Sequence, residues 1–219
     1  MKITKYIHSC LLFEHGGEKL LFDPGVFTFV EDKVKPDQFA GVATIVITHQ
    51  HPDHLNVKAL KEILALSKAT VISNRGVAAI LEPEGIAVKL HEEGTMQAGP
   101  FTLKALACTH QPILAPTLPV HIAYLVNDRV LNPGDSFDPA LLAWKGTEAL
   151  ILPVTAPFLT EVDAVAFARR MEPKQVLPVH DGYVKDFFRK GRYDAYEQFL
   201  QKDGMKLHRL ADPGASVDV

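Results

Sequence analysis

Five times in this chain a short apolar run of strand character ends on a side chain able to bind a metal. "KLLFD" closes on Asp23, "ATIVITH" on His49, "FTLKALACTH" on His110, "RVLNPGD" on Asp135 and "KQVLPVH" on His180. In sheets built with helical crossovers, the carboxyl ends of parallel strands share an edge, and ligands gather there. A fold that aligns these runs brings the five side chains to one place, provided that helices alternate with strands.

They do. "KITKYI", "CLLFE" and "KLLFDP" read as strands, the last two joined through "HGG" as a hairpin. "ATIVIT" leads into "LNVKALKEILALSK", whose Leu60, Ile63 and Leu64 recur at helical spacing. "TVIS", a helix over Arg75 to Leu81 and "IAVKL" continue the alternation. "FTLKALACTH", "HIAYLVN" and "RVLNPGD" follow as strands. "EALILPV", the helix "EVDAVAFARRM", "KQVLPVH" and a helix "YDAYEQFLQKD" come next, and "KLHRLADPGASVDV" reads as a terminal hairpin or paired strands. The pattern is α/β with an antiparallel share. No repeat, low-complexity tract or linker divides the 219 residues, so residues 1–219 are expected as one domain.

The densest signal is "HQHPDH", which crowds His49, His51, Asp53 and His54 into six residues after a strand. Imidazoles with a carboxylate and no thiolate form the ligand set of zinc and neighbouring first-row metals. Chance would place this pattern in roughly one such chain in a thousand. Four ligands on one loop cannot close a coordination sphere, and the strand-end residues His110, Asp135 and His180 supply the remainder.

Net charge is −3 and the pI is near 6.4, which disfavours nucleic acid and anionic membrane as partners. The opening "MKITKYIHSCLLFEHGGE" is interrupted too often by charge to act as a signal peptide or membrane span. The two cysteines, Cys10 and Cys108, lie in apolar runs and read as small hydrophobes of a reducing cytoplasm.

Taken together, "YIHSCLLFE", "LLFDPG", "THQHPDH", "NPGDS" and "ILPV…EVDAVAFARRMEPKQVLPVHDGY" resemble the metallo-β-lactamase-fold superfamily. The nearest branch is that of small metal-dependent hydrolases similar to ascorbate-6-phosphate lactonase and to the phospholipase D acting on N-acyl ethanolamines. The resemblance implies a four-layer αβ/βα sandwich. It also implies one metal on His49, His51 and His110, a second on Asp53, His54 and His180, and Asp135 bridging both. Two divalent ions, zinc first and manganese, nickel or iron as alternatives, would hold a bridging water and lower its pKa toward roughly 7. The implied activity is hydrolysis of a small ester, lactone, amide or phosphoester, with Asp53 and His180 as the catalytic residues. A mono-iron oxygenase on the same fold is the alternative; a di-iron enzyme would carry a carboxylate where His51 stands.

Further residues carry expectations of their own. Asp23 is placed to orient a ligand histidine through its second ring nitrogen. His8 is divided between supporting the site and plain packing, and Tyr183 between donating to substrate and packing. His121 reads as structural; His15, His91 and His208 read as surface. The loops from Pro24 to Gly41 and from Gln111 to Val120, rich in apolar residues such as Val26, Phe27, Phe29, Ile113, Leu114 and Leu118, are expected to overhang the metals; Phe27, Phe29 and Phe39 read as exposed. A small soluble substrate of low charge is the expected partner.

Overall fold

Leu, Ile, Val and Phe fall in runs too short and too β-branched for helices, and they pair into two sheets in the computed structural model, which describes residues 1–219. The first sheet contains β1 (Lys2–Lys5), β2 (Leu11–His15), β3 (Glu18–Phe22), β4 (Thr44–Val46), β5 (Thr70–Ser73), β6 (Val88–Leu90) and β14 (Ala215–Asp218), ordered β14-β1-β2-β3-β4-β5-β6. The second contains β7 (Gly94–Ala98), β8 (Phe101–Ala107), β9 (Ile122–Val126), β10 (Val130–Asn132), β11 (Ala149–Pro153), β12 (Gln175–Val179) and β13 (Lys206–Leu207), ordered β13-β12-β11-β10-β9-β8-β7. In each sheet one half is antiparallel, and the strands from β3 to β6 and from β10 to β13 run parallel.

Both faces of both sheets are covered. In β9, Ile122, Tyr124 and Val126 point between the sheets, while Ala123 and Leu125 face the outer helices. Phe13, Phe22 and Val46 meet Tyr124, Ile151 and Leu177 in that central layer. Outside the first sheet, Leu60 and Ile63 of α2 (Val57–Ser67) and Val77 and Leu81 of α3 (Arg75–Leu81) cover Leu21, Ile45 and Val71. Outside the second, α4 (Glu161–Met171) and α5 (Asp186–Lys202) set Phe167, Met171, Tyr196 and Leu200 against Leu131, Leu150 and Val176. The result is the αβ/βα sandwich read from the sequence.

Helices α3 and α4 have the expected bounds because each starts on a side-chain cap. Asn74 accepts from Val77 N at 3.1 Å and Thr160 from Asp163 N at 3.2 Å. Four expectations need correction. Helix α5 begins at Asp186 rather than Tyr193: its first turns bury nothing, so no apolar stripe marks them. Strand β7 went unread because it is a polar edge strand. The final segment is no hairpin: β13 lies beside β12, whereas β14 crosses to β1 in the other sheet. The turn at Asp212–Gly214 was legible, but which free edges its flanks join is a tertiary matter. Phe39, read as exposed, is buried against Tyr6 and Phe29, since the segment after β3 folds into α1 (Val26–Phe29) and 3-10 turns.

One buried ion pair ties the layers together. Lys5 Nζ of β1 donates to both oxygens of Asp181, the residue after His180, at 2.7 and 2.8 Å. Tyr193 of α5 donates to Asp181 Oδ2 at 2.6 Å. All three side chains are buried. Removing one partner leaves a naked charge inside. Lys5→Ala is therefore expected to cost about 3–5 kcal/mol in urea unfolding. The double variant Lys5→Met, Asp181→Leu should cost less than the two single substitutions summed.

Candidate metal centre

The first sheet brings Asp23 from the end of β3 and the "HQHPDH" loop from beyond β4. The second brings His110, Asp135 and His180 from beyond β8, β10 and β12. The loop is a tight turn in which His54 N and Leu55 N both donate to His51 O, and Asn56 then caps α2 through Ala59 N at 3.1 Å. Chain passes directly beneath it. Val26 N donates to Pro52 O at 2.8 Å, and a Cβ on Gly25 would lie 1.8 Å from Asp53 O, so only glycine fits there.

All seven expected ligands lie together. Ligand atoms of His49, His51 and His110 fall within 4.8 Å of one another, as do those of Asp53, His54 and His180 with His8, and those of His49, His54 and Asp135. Asp135 Oδ2 stands between the two sets, 3.8 Å from His49 Nε2, 3.6 Å from His110 Nε2, 3.3 Å from His54 Nε2 and 3.2 Å from His180 Nε2.

Hydrogen bonds separate the histidines that can bind a metal from those that cannot. His54 Nδ1 donates to Asp23 Oδ2 at 2.9 Å, His110 Nδ1 to Gln111 O at 2.6 Å and His180 Nδ1 to Thr155 O at 2.7 Å. In the neutral, metal-binding form each ring is thereby left with a lone pair on Nε2, facing Asp135. His49 follows suit: the Thr48 hydroxyl donates to Asp23 Oδ2 and so accepts from His49 Nδ1 at 3.0 Å.

His8 and His121 are the reverse. Gly182 N donates to His8 Nδ1 at 3.0 Å, so His8 Nε2 carries the proton and donates it to Asp53 Oδ2 at 3.1 Å. Asp135 N donates to His121 Nε2 at 2.9 Å, which turns the other nitrogen toward Cys108 Sγ at 3.2 Å. Both hold a carboxylate in place rather than offer a ligand atom. Both precede antiparallel strands, β2 and β9, whose amino ends lie at the same edge as the carboxyl ends of their neighbours. The signal for them was strand direction, which the sequence reading did not use. His91, read as surface, is buried, with Nε2 donating to Leu103 O at 3.0 Å.

Charge and strain are concentrated here. Burial would raise the Asp53 and Asp135 carboxyls, but hydrogen bonds and the charge of His180 and His54 hold both below the usual carboxylate range. Burial pulls His180 down, yet Asp135 and Asp53 lift it to about 9. His8, Asp23 and His180 all have positive φ, at 64°, 45° and 65°, a conformation costing on the order of 1–3 kcal/mol per residue. His54 Nε2, His110 Nε2 and Asp135 Oδ1 are buried with no hydrogen-bond partner. Buried orphans cost free energy, and three in one cluster of nitrogen and oxygen donors fit metal ions as the missing partners.

The cluster opens on a cavity of about 680 Å³ that Asp53 and His180 line with Val26, Phe27, Tyr183 and the Val154–Leu159 segment. The Pro24–Gly41 loop reaches it through Val26 and Phe27, but none of Gln111–Val120 does. That expectation is corrected: the segment after β11 and the start of α5 take its place.

Alanine at Asp135 is expected to lower bound metal at both positions, and alanine at His110 by about one equivalent, measured by elemental analysis. His8→Ala, which keeps every coordinating atom, should weaken one position roughly 10–100-fold, with partial recovery in His8→Gln. In the metal-free protein burial depresses His8 to about 4 and His121 to about 3. Their contribution to stability is present above the ordinary value of 6.5 and is lost as pH falls through 4 and then 3. Acid unfolding followed by circular dichroism should steepen in that window.

A beta-lactamase superfamily domain model matches residues 2–180. Protein Rv0786c of Mycobacterium tuberculosis is 32% identical over 192 residues, covering 84% of this chain and 85% of its own. A UPF0173 metal-dependent hydrolase of Carboxydothermus hydrogenoformans is 29% identical over 193 residues, 82% of this chain and 84% of its own. Among solved structures, Igni18, a metallo hydrolase of Ignicoccus hospitalis, superposes with a TM-score of 0.77 at 20% identity over 99% of this chain and 97% of its own. The chain belongs to the beta-lactamase superfamily and has the metallo-β-lactamase fold of its metal-dependent hydrolases.

Proposed function

We propose that this metal-dependent hydrolase holds two divalent ions, zinc or manganese, and cleaves a small ester or lactone. The observation that carries the reading is the position of Asp135 Oδ2, within 3.8 Å of imidazole nitrogens from both ligand sets, beside Asp53 and His180, which line a mainly apolar cavity. Divalent ions bound there would supply Lewis acidity and ionise a water near neutral pH.

The protein's own groups do the rest. Asp53 is the more exposed of the cluster's two carboxylates, at 21%, and His8 Nε2–H anchors its Oδ2. That leaves Oδ1 to orient the attacking water and take up its proton. His180 holds the opposite side through its Thr155 bond. Tyr183 lines the cavity with its ring 5.9 Å from that of His180; its phenol, raised by partial burial, is protonated and can donate to the oxygen that gains charge. Val26, Phe27, Pro157 and Leu159 exclude water and strengthen these interactions. Arg192 is the sole cation on the cavity wall, too little positive charge for a multiply phosphorylated substrate. The two free thiols, Cys10 and Cys108, support a reducing cytoplasm as its setting.

The test is a panel of lactones, aryl esters and phosphodiesters with added zinc or manganese. Turnover of lactones or esters is expected, with Asp53→Asn lowering kcat by about 10²–10⁴ and Tyr183→Phe by about tenfold. Turnover of phosphodiesters alone would reject the carbonyl reading. Iron as the sole bound metal, with no turnover, would favour an oxygenase instead.

A further inference from the structure

The cavity wall holds a cation that hydrolysis does not use. With His180 neutral as a metal ligand, only Asp53 and Arg192 among the lining residues carry full charge. Asp53 belongs to the metal cluster, and Arg192 stands on α5. The rest of the wall is mainly apolar, with Phe27, Pro157, Leu159 and Phe188 among its side chains.

Arg192 is held rather than loose. Nη1 pairs with Glu161 Oε1 of α4 at 2.6 Å, and the guanidinium lies over the Phe188 ring at 4.9 Å. Glu161 occupies one of several N–H donors. Nε is buried with no hydrogen-bond partner. The side chain is 27% exposed, so the Nη hydrogens that Glu161 leaves free, and not the sealed Nε, are the donors for a cavity ligand. A pocket with long apolar walls and a single fixed cation selects a ligand by one group at a set distance from the reacting end.

We propose that Arg192 is a specificity-determining residue: the substrate is an ester or lactone bearing one carboxylate, separated from the bond cleaved by an apolar stem that lies along Phe27, Pro157, Leu159 and Phe188. The substrate's carbonyl meets the metal cluster and its carboxylate meets the guanidinium. A single carboxylate suits a cation already sharing its charge with Glu161; a phosphate dianion does not. The inference rests on the hydrolase reading above.

The experiment uses metal-loaded protein and pairs of 4-nitrophenyl esters of equal chain length, one ending in a carboxylate and one in a methyl group. The wild type is expected to favour the carboxylate-ended ester in kcat/KM by roughly 10–100-fold, chiefly through KM, at one or two chain lengths. In Arg192→Met, which keeps the stem over Phe188, the ratio should collapse to near one. Arg192→Lys should retain part of it, and Arg192→Glu should invert it, so that the methyl-ended ester is favoured. A wild-type ratio near one at every length, or a ratio that survives in Arg192→Met, overturns the proposal. If no ester is turned over, the ester reading fails on its own. The Arg192 assignment is then decided by calorimetry with the matching carboxylate-ended amide: tighter binding to wild type than to Arg192→Met supports it, and equal binding overturns it.

Discussion

A carboxylate oxygen ringed by four imidazole nitrogens inside a protein is the constraint on which this structure depends. Asp135 and its neighbours are desolvated, and three of the cluster's polar atoms have no partner within the chain. Such a centre persists only where the surroundings hold every side chain against its own preference for water. The surroundings here are two sheets whose strand ends meet at one edge. Hydrogen bonds donated to backbone carbonyls or to Asp23 set the tautomers of His54, His110 and His180. Positive φ at His8, Asp23 and His180 is strain carried at the same edge and held by the sandwich behind it.

The same surroundings couple the metal cluster to the cavity. His180 is followed by Asp181, which the buried Lys5 and Tyr193 clamp between β1 and α5. Helix α5 carries Phe188 and Arg192 to the cavity wall. One ion pair thus sets the position of His180 and of the helix that carries Phe188 and Arg192. His180 N also donates to His8 O, so the first sheet holds the loop of the second from both sides of His180. A shift of α5 would be felt at the cluster, because packed layers respond as units rather than yielding locally.

Much of this was legible before any coordinates. The strand-end histidines and aspartates announced a convergent edge, and "HQHPDH" announced its chemistry. Helices α3 and α4 were read to their ends. What escaped were features without a local signature. His8 and His121 stand before antiparallel strands, so their proximity depends on strand direction. The start of α5 buries nothing, and the terminal strands join whichever edges are free. The Gln111–Val120 loop looked like a cavity wall because of its apolar residues, yet Leu114 and Leu118 are exposed. Composition does not say which way a loop leans.

The sequence by itself determined the cluster's donor chemistry and the alternation of strand and helix that gathers it, because both are written as residue type against strand and helix period. Only the tertiary structure decided which histidines offer a lone pair and which spend it on a backbone N–H. It also decided that Arg192, twelve residues past His180 in the chain, shares a cavity with it. Proton placement and pocket walls depend on partners distant in sequence, and no local pattern encodes a distance between two sheets.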